Sequence, residues 1–342
     1  MNRCCRDANN YLKKSDLVNL NELEPFINNF NSKIEEYSTN GLSSFLLGSV
    51  ELCIKLSLSI GYKRGEAETR WLKGNILSMG GQYNSALKSF YRALGLVEYG
   101  SNMYELINSS IALNLFYIGD TLSSLNIVRE LSKGNESQSL NYILSLILIN
   151  RGEDQLSSLL LSKTTELPQL DQLNRVSRLL ELNKVDLAIS LFSTISRGED
   201  LNNIFLEAYA QSLELLINSK LHNDINIELI PEIVNLLKCK TSSYHYIDGI
   251  LNIAEVFINL DCLEEGFDLL NRATQDKKDL KSLDLRIFRL MEVLSTKQGD
   301  FKKAHENYNL VRNIIKSTNS FEITRALRDM SSFLYVDECI VS

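Results

Sequence analysis

The stretch Ala67–Glu98, AETRWLKGNILSMGGQYNSALKSFYRALGLVE, decides the architecture. Gly74 and Leu77 in its first half, and Tyr83, Ala86, Phe90 and Ala93 in its second, recur at steps of three and four residues. That is the spacing of one face of an α-helix, not the alternation of a half-buried strand. The first helix ends near Gly81 and the second begins at Tyr83, so the stretch reads as two helices joined by a tight turn. The small residues Gly74, Ala86 and Ala93 let two antiparallel helices approach closely. Tyr83 and Phe90 fill the space between neighbouring pairs.

Outward from this stretch the same spacing continues almost everywhere, in about seventeen helical segments between residues 22 and 335. Composition agrees. The 342 residues hold only 3 Pro and 16 Gly, where average usage of about 5% and 7% would give roughly 17 and 24. A β-sandwich or α/β fold of this length needs more turn residues, so the expected class is all-α. Pro25, Pro168 and Pro231 fall near predicted helix starts, where a missing N–H costs little.

Copies of the unit follow. Phe288, Met291, Gly299, Phe301, Ala304 and Tyr308 repeat it near the end. Before them Ile250, Ile253, Ala254, Phe257, Leu260, Leu263, Gly266, Leu270 and Ala273 keep the spacing with aliphatic substitutes. Leu179, Val185, Ala188, Phe192 and Ile195 form a further copy, and Ala112, Leu115, Gly119 and Val128 a fainter one. The pattern resembles the tetratricopeptide repeat, a helix–turn–helix unit of 34 residues. The likeness covers most of the chain from about residue 40. Two departures stand in the best unit: Trp71 sits one place past the usual tryptophan, and Glu98 takes the place of a proline.

The resemblance implies a right-handed superhelical solenoid of antiparallel helix pairs, in which stacking neighbours buries one continuous core. Residues 1–40 would form an N-terminal capping region, 41–319 the repeats, and 320–342 a capping helix and tail. In that last helix Arg325, Arg328 and Asp329 give a charged face, and Phe333 and Leu334 a packed one. The resemblance further implies a concave groove lined by first helices that holds a protein or peptide segment. Its lining would include Glu68, Trp71, Asn75, Ser78 and Met79, and at the far end Arg286, Arg289 and Lys297. Trp71 reads either as a peptide-binding hot spot beside Asn75 or as packing against the next helix. The three cations read as a docking site for an anion, or as a solvated face neutralised by Asp284 and Glu292. A clamp for a C-terminal carboxylate, known in some members of the family, is not expected. Trp71, Asn75, Ser110, Ser139 and Ile143 stand where its amides and cations would be. The region Leu58–Glu98 is also similar to repeat arrays of bacterial signalling regulators, with no output domain following here.

Charge and motif content narrow the function. With 36 basic against 43 acidic side chains the net charge is −7, which disfavours electrostatic binding of nucleic acid or anionic lipid. The six cysteines have no C-x2-C pair, and His222, His245 and His305 lie far apart, so no metal site or other cofactor is expected. No glycine-rich phosphate loop or nucleophile elbow occurs, which speaks against an enzyme. No apolar run approaches the roughly 20 residues that span a bilayer, and no signal segment is visible. The expectation is a cytoplasmic, non-catalytic adaptor or scaffold for a protein or peptide ligand, without membrane insertion. The alternative is an intracellular signalling regulator whose array senses a peptide or small signal and controls a separate output protein.

Overall fold

Eight helix ends in the computed structural model stop in the same way. At Gly61, Gly81, Gly119, Gly152, Asn183, His222, Asp261 and Gly299 the backbone turns to positive φ, from 56° to 87°. The next residue's N–H then bonds to the carbonyl five positions earlier, as Gln82 does to Leu77 at 2.8 Å and Cys262 to Phe257 at 2.9 Å. This closure satisfies carbonyls orphaned at a helix C-terminus and reverses the chain. Glycine adopts it without a Cβ clash, whereas at Asp261 and His222 a side chain is carried through the left-handed region. From Gly81 onward these turns follow one another at 31 to 39 residues, so the repeat is written into the backbone itself.

The structure describes residues 20–39, 43–133, 137–164, 167, 169–195, 204–238, 243–278 and 280–330. Among them are seventeen α-helices and no strand. They are α1 (Leu20–Thr39), α2 (Ser43–Ser59), α3 (Lys63–Met79), α4 (Tyr83–Leu94), α5 (Asn102–Tyr117) and α6 (Thr121–Ser132). Then come α7 (Gln138–Arg151), α8 (Asp154–Lys163), α9 (Gln169–Glu181), α10 (Val185–Ile195), α11 (Ile204–Lys220) and α12 (Ile230–Leu237). The last are α13 (Tyr244–Asn259), α14 (Leu263–Asp276), α15 (Asp284–Lys297), α16 (Phe301–Thr318) and α17 (Phe321–Met330). The fold is all-α, a repeat-like series of paired helices. It divides into two compact units, 1–114 and 115–342.

In unit 1, α3 packs against α1, α2 and α4, and α1 against α2. Ile27, Phe30 and Ile34 of α1, Leu46, Val50, Cys53, Ile54 and Leu56 of α2, and Leu72 and Ile76 of α3 form its core. The α3–α4 hairpin closes as its sequence dictates. A Cβ on Gly74 would overlap the ring of Phe90, and Ala86 and Ala93 are completely buried. Apolar side chains buried in this way contribute about 1.5–3 kcal/mol each.

In unit 2 the hairpins α7–α8, α9–α10, α11–α12, α13–α14 and α15–α16 follow one another, with α9 against α11, α11 against α13, and α13 against α15. The series then turns back on its own start: α16 packs on α7, and α17 on α6. Arg151 fixes this return, donating through Nη1 to the Thr318 carbonyl at 2.9 Å, while Thr318 Oγ1 bonds the Asn150 carbonyl at 2.9 Å. Every residue of α7 from Leu140 to Arg151 and of α13 from Tyr244 to Ile258 is buried. Within this unit the furrow expected between first helices is filled by their own side chains. Of the expected C-terminal cap, Ile323 is buried and Arg325 exposed; Phe333 and Leu334 lie outside the described residues.

Candidate functional site

The sequence-selected residues fall into two sets, one in each unit. Glu68, Trp71, Asn75, Ser78 and Met79 recur along α3 at helical spacing. All five are half-buried, whereas Ala67, Thr69, Leu72, Gly74, Ile76 and Leu77 around them are buried. They form a row that solvent reaches beside these buried positions, as it also reaches Lys63, Arg64, Arg70 and Lys73. Trp71 is held in place: its indole Nε1 donates to Ser110 Oγ of α5 at 3.0 Å, and its ring lies against the core of unit 1. Ser110 is itself tied down through its hydroxyl to the Leu106 carbonyl at 3.1 Å, and its own carbonyl accepts from Asn114 Nδ2 at 2.8 Å. Glu68 Oε2 accepts from Asn31 Nδ2 at 3.3 Å. Among the described residues the Asn75 amide and the Ser78 hydroxyl make no hydrogen bond to the protein. The row therefore combines a pre-oriented aromatic with unspent amide and hydroxyl groups.

Behind it, Cys53 is buried between Asn31 and Thr69, whose hydroxyl reaches Asn31 Oδ1 at 2.9 Å. Burial pushes the Cys53 thiol up to about 11, against a smaller downward pull from the Thr69 hydrogen bond. It is a packed thiol, not a nucleophile.

The second set behaves differently. Arg286 of α15 is only 2% exposed. Its guanidinium meets Asp248 Oδ1 at 2.5 Å, Asn252 Oδ1 at 2.8 Å and Glu255 Oε2 at 3.2 Å, all on α13. Arg178 of α9 also pairs with Asp248, and with Glu181 at 2.6 Å. The other Asp248 oxygen accepts from Tyr209 Oη at 2.5 Å and Asn174 Nδ2 at 3.1 Å. Tyr142 of α7 donates to Asn174 Oδ1 at 2.6 Å, and Lys220 of α11 lies 2.6 Å from Glu255. Five first helices thus meet in one buried polar network. Burial pulls the Asp248 carboxyl upward, but Arg178, Arg286 and its hydrogen bonds outweigh this and hold it well below the usual carboxylate range.

Arg289 lies 3.7 Å from Glu181, and Lys297 is 2.6 Å from Asp261. Each of the three cations read as an anion-docking set already faces a carboxylate of the chain. Nor is Arg286 part of a solvated face neutralised by Asp284 and Glu292; its acids come from α13, and Asp284 pairs with Lys277 at 2.5 Å. Periodicity could not show this, because Asp248 and Arg178 look like surface residues until the helices opposite them are known.

One further pair borders the network. His245 Nε2, which has no hydrogen-bond partner among the described residues, lies 3.9 Å from Asp171 Oδ1. Burial pushes Asp171 up to about 7 and His245 down to about 4, with Asp248 opposing and Arg178 reinforcing the latter shift. Between about pH 4 and 7 both side chains are neutral.

Among the described residues no group of three or more His, Cys, Asp or Glu side chains is placed to hold a metal ion, and no helix is long and apolar enough to cross a membrane. No protein-family model matches the chain, and no curated protein matches it significantly in sequence.

Proposed function

We propose that this is a non-catalytic interaction protein of the tetratricopeptide type, working in the cytoplasm, whose unit 1 docks a protein or peptide segment along α3. The observation that carries the reading is the half-exposed row Glu68, Trp71, Asn75, Ser78 and Met79. Supporting the repeat type, Gly74, Ala86, Phe90 and Ala93 make the close helix contact for which such residues are used. Supporting the docking role, Trp71 is pinned by Ser110, so little side-chain freedom is lost when a ligand covers it. Asn75 supplies both a donor and acceptors for the backbone of an extended visitor. Tryptophan at the centre of such a patch is the residue type that dominates contact energies.

The test is capture of partners from the native cell with the full chain as bait, analysed by mass spectrometry beside a Trp71→Ala/Asn75→Ala variant. A discrete set of proteins is expected to fall at least tenfold with the variant. The same captured set at unchanged yield contradicts the reading.

A further inference from the structure

The two aromatic positions that seal the α3–α4 hairpin have opposite fates in α15–α16. Tyr83 and Phe90 are 6% and 0% exposed; their counterparts Phe301 and Tyr308 are 71% and 47% exposed. The reason is topological. The helix that follows α16 packs mainly on α6, and among the described residues Phe301 and Tyr308 stay open to solvent. A hairpin at the edge of a stack ordinarily needs a polar outer face. Here the face holds two exposed rings, and they share a stripe with His305, Arg312 and Lys316 at steps of three and four residues. Those three are exposed too, and none has an ion-pair partner among the described residues. Helix α16 carries Lys302, Lys303, Arg312 and Lys316 against Glu306 alone, a net of +3 in a chain of net −7. The single acid lies off the stripe, one position past His305.

We infer that the Phe301–His305–Tyr308–Arg312–Lys316 stripe of α16 is a second docking surface, and that it takes an acidic amphipathic helix from a partner protein. The two rings are seven residues apart, about 10 Å along the axis. That separation accepts the apolar i and i+7 anchors of a helix. Arg312 and Lys316 then meet carboxylates on its flank, while the chain's overall negative charge repels acidic partners elsewhere and leaves this stripe as the landing place.

The test is fluorescence anisotropy on the full chain with two labelled synthetic helices that share one leucine stripe, one flanked by Glu and the other by Lys. The Glu helix is expected to bind saturably and the Lys helix not to bind. Phe301→Ser/Tyr308→Ser and Arg312→Glu/Lys316→Glu should each weaken the Glu helix at least tenfold, and Trp71→Ala/Asn75→Ala should leave it unchanged. All four stripe positions are exposed, so thermal unfolding of these variants should match the parent. The proposal is overturned if neither helix binds, if both bind alike, or if the stripe variants leave the Glu helix unaffected. Tighter binding of a single-stranded oligonucleotide, lost in the same variants, would overturn it in favour of nucleic acid. Self-association in sedimentation that Phe301→Ser/Tyr308→Ser abolishes would overturn it in favour of a second copy.

Discussion

In unit 1 the partly buried row of α3 leaves Trp71, Asn75 and Ser78 within reach of solvent, whereas in unit 2 Arg286 of α15 points into a closed interior against Asp248. The hairpins are alike in their turns, at Gly81 and Gly299, and in the buried alanines Ala86 and Ala304. What differs is the company each helix keeps. The polar row of α3 meets Ser110 and Asn31 at single points, while Arg286 meets a matched carboxylate and amide from α13 and shares Asp248 with Arg178 of α9. A first-helix face is a binding surface only where no other first helix supplies complementary groups opposite it. The first helices of unit 2 have spent their polar groups on one another.

The contrast can be broken hardest at Asp248. Asp248→Ala strands Arg178 and Arg286 without their shared carboxylate, and loss of one partner from a buried ion pair costs about 3–5 kcal/mol. Hydrogen exchange should show lost protection in α9 and α13. A change below about 1 kcal/mol would mean that the network is solvated and that unit 2 is not closed as described.

Ala86→Trp or Ala93→Trp should come next. Both alanines are completely buried between α3 and α4, and overpacking of such a site costs about 1–3 kcal/mol. Chemical denaturation with exchange read on α3 and α4 checks this. Full tolerance would mean that the hairpin is not tightly packed.

A pH series sharpens the account of unit 2. Asp248 has a depressed pKa, so its contribution is present above the unfolded value of 3.8 and is lost as pH falls below it. His245, at about 4 against 6.5 unfolded, contributes stability that is lost as pH falls from 6.5 toward 4. Asp171, at about 7 against 3.8, has the opposite sign: its contribution is complete below 3.8 and is lost as pH rises toward 7. Between about pH 4 and 6.5 the last two oppose each other. Asp171→Asn should therefore make the stability of α9 and α13 rise across that window, in the sense that His245 alone dictates. A pH dependence that the substitution leaves unchanged would remove Asp171 from the account.

The smallest effect on stability is expected at the docking row. Trp71→Ala should weaken partner binding while costing less stability than the substitutions above, because the ring is only partly buried. A sharp fall in melting temperature with affinity unchanged would make Trp71 a core residue.

Much of the fold was legible in the sequence, and the reasons are local. Helix periodicity located the seventeen helices of the described residues, and glycines at 81, 119, 152 and 299 marked turns between them. The breaks at Asn183, His222 and Asp261 were marked by the ends of the periodic segments, but their left-handed conformation was not, because a non-glycine residue enters that region only under the constraint of the hairpin. The α3 row was legible because it depends on one helix. The Asp248 network was not, because it joins residues 31 to 109 positions apart whose pairing depends on how five helices converge. The return of α16 and α17 onto α7 and α6 was equally hidden: nearest-neighbour repeats give no sign of a contact across 167 residues. The exposure of Phe301 and Tyr308 follows from that return, which is why the same motif that predicts burial at Tyr83 and Phe90 predicts it wrongly there.

Site-specific photo-crosslinking in the native cell is the most direct test of the docking claim. A photoreactive residue is placed in turn at Asn75 and Ser78 on the α3 row and at Lys88 on the exposed side of α4. The account predicts discrete protein adducts from positions 75 and 78, lost when Trp71 is replaced by alanine, and none from position 88. Adducts from position 88 alone, or none that depend on Trp71, would contradict it.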